Sequence, residues 1–255
     1  MEERKTIYLC LAHMSETGEE QKYVKEAFDT NWVVPLGPNV NGFEDDLKAF
    51  VSKNSDGSEL SREVVALSAG TAAVHLGLLA SGVGPGDEVC VQSFTFCASS
   101  HPITYLGATP VFIDSEPDSW NMDPELLEKA IIDRKEKTGK YPKAIVPVAL
   151  YGMPYDCDKI MAISEKYGIP VVEDAAEGCG SRWKGQVLGT FGKFGVLSFN
   201  GNKMITTSGG GALICQDAES KNNVMWYATQ ARDAYPYYQH TAIGYNYRMS
   251  NVCAG

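Results

Sequence analysis

From residue 64 onward the chain repeats one pattern: a short apolar run rich in β-branched residues, a polar turn, then a stretch with helical spacing. The apolar runs are VVALS (64–68), EVCVQS (88–93), PVFID (110–114), AIVPV (144–148), PVVED (170–174), FGVLSF (194–199) and GALIC (211–215). Between them lie TAAVHLGLLAS (71–81), a segment after Phe96, one that opens at Pro124, and one from about Asp156. Proline suits the first turn of a helix, where its missing N–H would have no helical partner. Apolar runs this short and continuous are strands buried on both faces. Their alternation with helices predicts an α/β fold, a mostly parallel central sheet flanked by helices.

Upstream, Thr17 and Glu20 are spaced as a capping box, and Tyr23, Val24, Ala27 and Phe28 follow at helical spacing. The turn-rich stretch TNWVVPLGPN (30–39) carries Trp32, and Phe43, Leu47, Phe50 and Val51 mark a second amphipathic helix. The polar stretch DRKEKTGKYPK (133–143) reads as a solvated helix end and loop. No internal repeat, low-complexity tract or domain linker interrupts the chain.

Composition narrows the function classes. A chain of 255 residues can bury a sizeable core, and 44% hydrophobic with 21% charged residues is ordinary for a soluble enzyme. A net charge of -10 and a pI near 4.9 give no electrostatic basis for binding nucleic-acid backbones or anionic membranes. A small anionic substrate stays open, because local dipoles and one or two cations can outweigh the global field. The opening MEERKTIYLCLAHMS has too brief an apolar run for a secretory leader. No stretch reaches the roughly 18 apolar residues of a membrane span. The seven cysteines (Cys10, Cys90, Cys97, Cys157, Cys179, Cys215, Cys253) are scattered, without a C-x-x-C pair. That excludes a disulfide framework and a zinc site, and a cytoplasmic setting is expected. His13, His75, His101 and His240 have no metal-ligand spacing and read as structural or peripheral.

In an open α/β sheet, ligands bind beyond the carboxyl ends of the strands. Three strand ends carry suggestive groups. In SAGTAAVH (68–75) a strand runs into Gly70 and a helix starts at Thr71. Such a helix N-terminus permits anion binding, although an ordinary strand-to-helix turn looks the same. In VVEDAAEGCG (171–180) Asp174 closes an apolar strand, where a carboxylate needs a partner; it is either a ligand contact or a helix cap. In LSFNGNKMITTSGGGALIC (197–215) a polar turn presents Lys203 between an apolar strand and three consecutive glycines. A lysine confined in this way can act as an amine nucleophile.

Together SAGTAA, SFTF, PVFID, YG, EDAAE, SFNGNK, SGGG and GYNYRMSN occur in the order and approximate spacing of the DegT/DnrJ/EryC1/StrS sugar aminotransferases, and the chain resembles that family from about His13 to Gly255. The resemblance implies fold type I of the pyridoxal-phosphate enzymes, with residues 1–255 forming the cofactor-binding large domain and 1–60 contributing to the active-site entrance. The opening HMSETGEEQKYVKEAFDTNWVVPLGPNV and the segment DSEPDSWNM resemble the branch that makes UDP-4-amino-4,6-dideoxy-N-acetylglucosamine, a bacillosamine precursor.

The roles carried over are implied by that resemblance. Lys203 forms the Schiff base with pyridoxal 5'-phosphate and then shuttles a proton. Asp174 pairs with the pyridine nitrogen, Glu177 approaches the cofactor's phenolic oxygen or its surroundings, and Phe96 stacks on the ring. Thr71, the Ala72 amide and Ser198 hold the phosphate. Asn246 reaches the phosphate of the neighbouring subunit's cofactor, which implies a homodimer with shared active sites. Arg248 meets the carboxylate of the amino-acid donor, Tyr247 lies near it, and Trp32 belongs to the entrance where a nucleotide-linked sugar sits. Without the family pattern, Phe96, Trp32 and Tyr247 would read as core packing.

Two departures accompany the resemblance. Relatives often carry a His two residues before the Tyr-Gly pair, where this chain has Ala149. The sequence also stops at Gly255, inside an expected helix, whereas relatives continue into a smaller C-terminal domain; an inert truncated fragment is therefore one alternative reading. The family's sugar dehydratases are a second, but they replace the Schiff-base lysine with histidine, and Lys203 is present. A Rossmann dehydrogenase is disfavoured because no G-x-G-x-x-G follows the first strand.

Overall fold

The computed structural model describes residues 12–255. Residues 1–11, with Cys10 and the apolar run of the opening, lie outside the described residues. Two helices come first, α1 (Glu19–Asp29) and α2 (Pro38–Ser52). The alternating part follows as β1 (Glu63–Leu67), α3 (Gly70–Ala80), β2 (Glu88–Gln92), α4 (His101–Tyr105), β3 (Thr109–Ile113), α5 (Pro124–Thr138), β4 (Ala144–Val146), α6 (Cys157–Tyr167) and β5 (Val172–Asp174). A small hairpin, β6 (Arg182–Trp183) and β7 (Gln186–Val187), precedes β8 (Phe194–Ser198) and β9 (Gly211–Cys215), and the chain closes with α7 (Ala218–Ala228) and α8 (Asn251–Ala254).

The strands form ladders in the orders β3-β2-β4 and β5-β8-β9-β1. Parallel bridges Ile145–Val171 and Val148–Asp174 join β4 to β5, so the ladders make one continuous sheet. Pairing is parallel from β3 through to β8, whereas β9 is antiparallel to both β8 and β1. The expected mostly parallel sheet is thus present, with one reversed strand.

Alternation along the strands sorts the core into two layers. Val64, Ala66 and Cys90 pack with α2, α5 and α6 through Leu47, Val51, Ile131 and Ile160. Val65, Leu67, Val89 and Val91 pack with α3, α4 and α7 through Leu76, Leu78, Ile103 and Val224. Among the described residues, no helix is long and apolar enough to cross a membrane.

Two local expectations need correction. Thr17 does not cap α1: Gly18 takes a left-handed conformation (φ 70°) at the helix entrance, with no side-chain cap. The reach-back partner of Glu20 is instead Ser15, whose amide and hydroxyl donate to its carboxylate at 2.8 and 2.6 Å. The helix expected after Phe96 is broken into a 3₁₀ turn, Cys97–Ser99, and the short α4. Pro102 occupies an opening position of α4, where it suits a new helix and cannot donate into a continuous one.

Candidate active site

Because β9 alone runs backward, the carboxyl ends of β1, β2, β4, β5 and β8 and the amino end of β9 share one edge of the sheet. A cavity of about 630 Å³ opens there. Its wall draws on the strand ends Ser68–Thr71, Phe94–Ser99, Leu150–Tyr151 and Asp174–Glu177, and on Ser198, Lys203 and Gly209–Gly210. Asp174 and Lys203, far apart in sequence, face this one space.

Asp174 is 6% exposed. Its Oδ2 accepts from Ser99 Oγ at 2.5 Å and its Oδ1 from the Ala176 amide at 3.2 Å. Burial raises its carboxyl above the ordinary value; the Ser99 and Ala176 hydrogen bonds and the Lys203 charge oppose that rise, and Glu177 adds to it. No helix follows Asp174, so it is not a helix cap; one oxygen serves a local backbone amide, and the carboxylate lines the cavity. Lys203, with a side chain 13% exposed, places Nζ 3.4 Å from Glu177 Oε1. Glu177 Oε2 accepts from the Tyr151 amide at 2.7 Å. Tyr151 is held at φ 51°, a left-handed conformation costly for a non-glycine residue, so the turn that presents this amide is over-determined by its surroundings.

Opposite this carboxylate–lysine arrangement lies the N-terminus of α3. Its first helical bond runs from the Ala73 amide to Ala69 O at 3.1 Å, so the amides of Gly70, Thr71 and Ala72 precede the ladder. Close approach here demands glycine. A Cβ on Gly70 would lie 3.0 Å from Ser198 Cβ, and one on Gly211 only 2.3 Å from the Ala69 carbonyl carbon. Ser198 and Thr71 add hydroxyls at the same edge. Phe96, 73% exposed, leaves an aromatic face on the cavity wall.

The structure therefore brings together Lys203, Asp174, Glu177, Ser198, Thr71 and Phe96, with Ala72 one helical position behind Thr71. It does not bring Trp32, Asn246, Tyr247 or Arg248 to this cavity. Trp32 is partly exposed beside α8, its carbonyl accepting from Asn251 Nδ2 at 3.1 Å. Asn246 is exposed and its backbone pairs with Thr229. Tyr247 packs on His75 and Tyr245, behind the α3 N-terminus. Arg248 requires correction as a reader of the donor carboxylate. Its guanidinium pairs internally with Glu44 and donates to Ala66 O at 2.9 Å, and its side chain is 9% exposed. Sequence reading missed Ser99 and Thr95; the hydroxyl-rich run SFTFCASS was the available signal. It also missed Tyr151, for which nothing in the sequence announces a left-handed tyrosine.

The donor set fits pyridoxal phosphate in three separate places. A buried carboxylate awaits a cationic ring nitrogen, a lysine amine lies in the same cavity, and a helix N-terminus with two hydroxyls suits a phosphate dianion. The fold and site thus define an α/β protein that brings a lysine and a buried carboxylate to one cavity. The model of the DegT/DnrJ/EryC1/StrS aminotransferase family matches residues 14–255, and the chain belongs to that family. It is 49% identical over 251 residues to EpsN of Bacillus subtilis (strain 168), a protein whose name assigns it to the pyridoxal phosphate-dependent aminotransferases, covering 98% of this chain and 62% of that one. It is 38% identical to GDP-perosamine synthase of Escherichia coli O157:H7, covering 97% of this chain and 64% of that enzyme. A DegT DnrJ EryC1 StrS aminotransferase from Brucella abortus superposes with a TM-score of 0.85 at 32% identity, over 93% of this chain and 61% of that one. The chain spans somewhat under two thirds of the length of these relatives.

Proposed function

We propose that this chain is the cofactor-binding large domain of a pyridoxal-phosphate-dependent aminotransferase. The reaction would move an amino group from an amino acid, glutamate by expectation, to a keto-sugar carried on a nucleotide, for cell-surface glycan or polysaccharide synthesis in the cytoplasm. Residues 1–60 would form part of the entrance. One observation carries the reading: Asp174 and Lys203 line a single cavity that also receives the N-terminus of α3.

Bound there, pyridoxal phosphate supplies the carbonyl carbon and the electron-withdrawing ring on which amine transfer runs. The chain's own residues orient and protonate. The Asp174 carboxylate holds the ring nitrogen. The Thr71 and Ser198 hydroxyls and the first-turn amides of α3 hold the phosphate. Phe96 covers one face and excludes water from it. Lys203 Nζ, held at 3.4 Å by Glu177 Oε1, is the amine that moves a proton at the reacting carbon. We infer further that the protein works as a homodimer with shared active sites: Asn246 is exposed away from its own cavity, where it could meet a second copy.

The decisive measurement uses full-length protein, glutamate and UDP-4-keto-6-deoxy-N-acetylglucosamine, with product amine read by mass spectrometry. Amination that falls at least about 10²-fold in Lys203→Ala is expected, the lower range for a positioned proton-transfer group. A wild type that never develops the visible absorbance of lysine-linked cofactor would overturn the reading.

A further inference from the structure

Ser99 is 1% exposed and stands between two oxygens. Its Oγ lies 2.5 Å from Asp174 Oδ2 and 2.8 Å from Thr95 Oγ1. A hydroxyl has a single proton, and an ionised carboxylate only accepts. When Asp174 is an anion, Ser99 must therefore donate to it, and the Ser99 oxygen is left to accept from Thr95. The proton order along this chain is then fixed in one direction. When Asp174 is protonated, the order can reverse. Thr95 itself lines the cavity, so the chain runs from the cavity wall to the buried carboxylate. Hydrogen bonds linked in this way polarise one another, and one that ends on a charge is stronger than a neutral one.

We propose that Ser99 is a positioning residue, donating to Asp174 while Thr95 donates to Ser99, so that the carboxylate meets the ring nitrogen of pyridoxal phosphate as a fixed, proton-accepting anion. The proposal rests on the cofactor reading above and adds to it the device that keeps the carboxylate ready. The surroundings make such a device necessary. Burial drives Asp174 toward its neutral form, and the nearby Glu177 charge pushes the same way. The Lys203 charge and the Ala176 amide oppose them, and Ser99 is the first of the opposing partners.

The test compares two probes on the full-length protein: pyridoxal phosphate, and its carbocyclic analogue in which C–H replaces the ring nitrogen. Dissociation constants are read from protein fluorescence in the wild type, Ser99→Ala, Ser99→Thr and Thr95→Val. Ser99→Ala is expected to weaken pyridoxal phosphate about tenfold, the lower range for a hydrogen bond to a charged group, and to leave the carbocyclic probe unchanged. Ser99→Thr restores the wild-type value. Thr95→Val shows the same selectivity with a smaller loss. In Ser99→Ala the acid limb of pyridoxal phosphate binding moves to higher pH, because the carboxylate has lost a donor that favours its anion. Equal weakening of both probes in the variants, or no change in either, overturns the proposal and leaves the cofactor reading standing. A wild type that binds neither probe overturns both. If Ser99→Ala does not fold, Thr95→Val, at a partly exposed position, decides between the same outcomes.

Discussion

Along β5 two adjacent carboxylates are buried, and strand alternation turns them to opposite faces. Glu173 is fully buried and accepts the amides of Gly189, Phe191 and Gly192 at 3.0, 2.6 and 2.6 Å, which ties down the turn before β8. Burial raises its carboxyl as it does that of Asp174, with those amides opposing. The two residues nevertheless respond differently to neutralisation. In Glu173→Gln the –NH₂ group cannot accept, so at least one of three inward amides loses its partner. Urea unfolding is expected to show a loss of about 1–3 kcal/mol. In Asp174→Asn the oxygen can keep the Ala176 amide while the –NH₂ group donates to Ser99, so both contacts survive. A raised folded-state pKa means that the folded protein holds its proton to higher pH than the unfolded chain. The stability associated with that proton is full at acid pH and is lost as pH rises through the folded value. Asp174→Asn is therefore expected to raise the melting temperature of cofactor-free protein at pH 7 by about 2–4 °C, the effect of roughly 1 kcal/mol at this size, while weakening cofactor binding. The gain should shrink toward pH 4. A variant that melts below the parent at neutral pH would contradict the sign. Asp174 stands out in the sequence because it ends an apolar strand with a charge, and Lys203 because a polar turn sets it between an apolar strand and three glycines. Arg248 was misread because its partner, Glu44, lies 204 positions away and no local pattern announces it.

At the scale of elements, that ion pair has a definite task. Glu44 Oε1 also accepts the Ala66 amide at 2.7 Å, and Arg248 donates to the carbonyl of the same residue. α2 and the segment before α8 thereby satisfy the outward backbone groups of β1, an edge strand, and a bridge from Leu67 to Arg248 continues the cover. Removing one member leaves a nearly buried charge without its partner. Glu44→Ala is expected to cost about 3 kcal/mol in chemical denaturation, and a Glu44–Arg248 double-mutant cycle should assign most of it to coupling between the two. Gly211 makes a sharper case. Its absent side chain lets β9 start against the turn that opens α3, so Gly211→Ala is expected to lose about 3 kcal/mol or to yield insoluble protein. The triple glycine is visible in the sequence, but of the three only Gly211 is pressed against another segment's backbone. The split helix after Phe96 was not foreseen, because Pro102 can stand equally well at a new helix start or after an old one's end.

For the molecule as a whole, layer order and strand positions followed from periodicity, since runs buried on both faces leave few alternatives. The direction of β9 did not: GALIC is as apolar as any parallel strand, and only its pairing with β1 and β8 reveals the reversal. The shared-site dimer is tested at this scale. Full-length Lys203→Ala and Asn246→Ala chains, each inactive or weak alone, should recover about a quarter of wild-type sites when mixed and reassembled at random, because each mixed dimer then holds one intact site. No recovery, together with a monomer in sedimentation, would leave Asn246 without its cross-subunit role. The reversed strand has a consequence for how such a protein can change over time. Residues 199–210 are a cassette with both feet clamped in a single rung of one ladder, Ser198 opposite Gly211. Its interior can be lengthened, shortened or re-lettered around the amine without asking any other strand to slide, which makes it the natural place for descendants of this scaffold to acquire different chemistry.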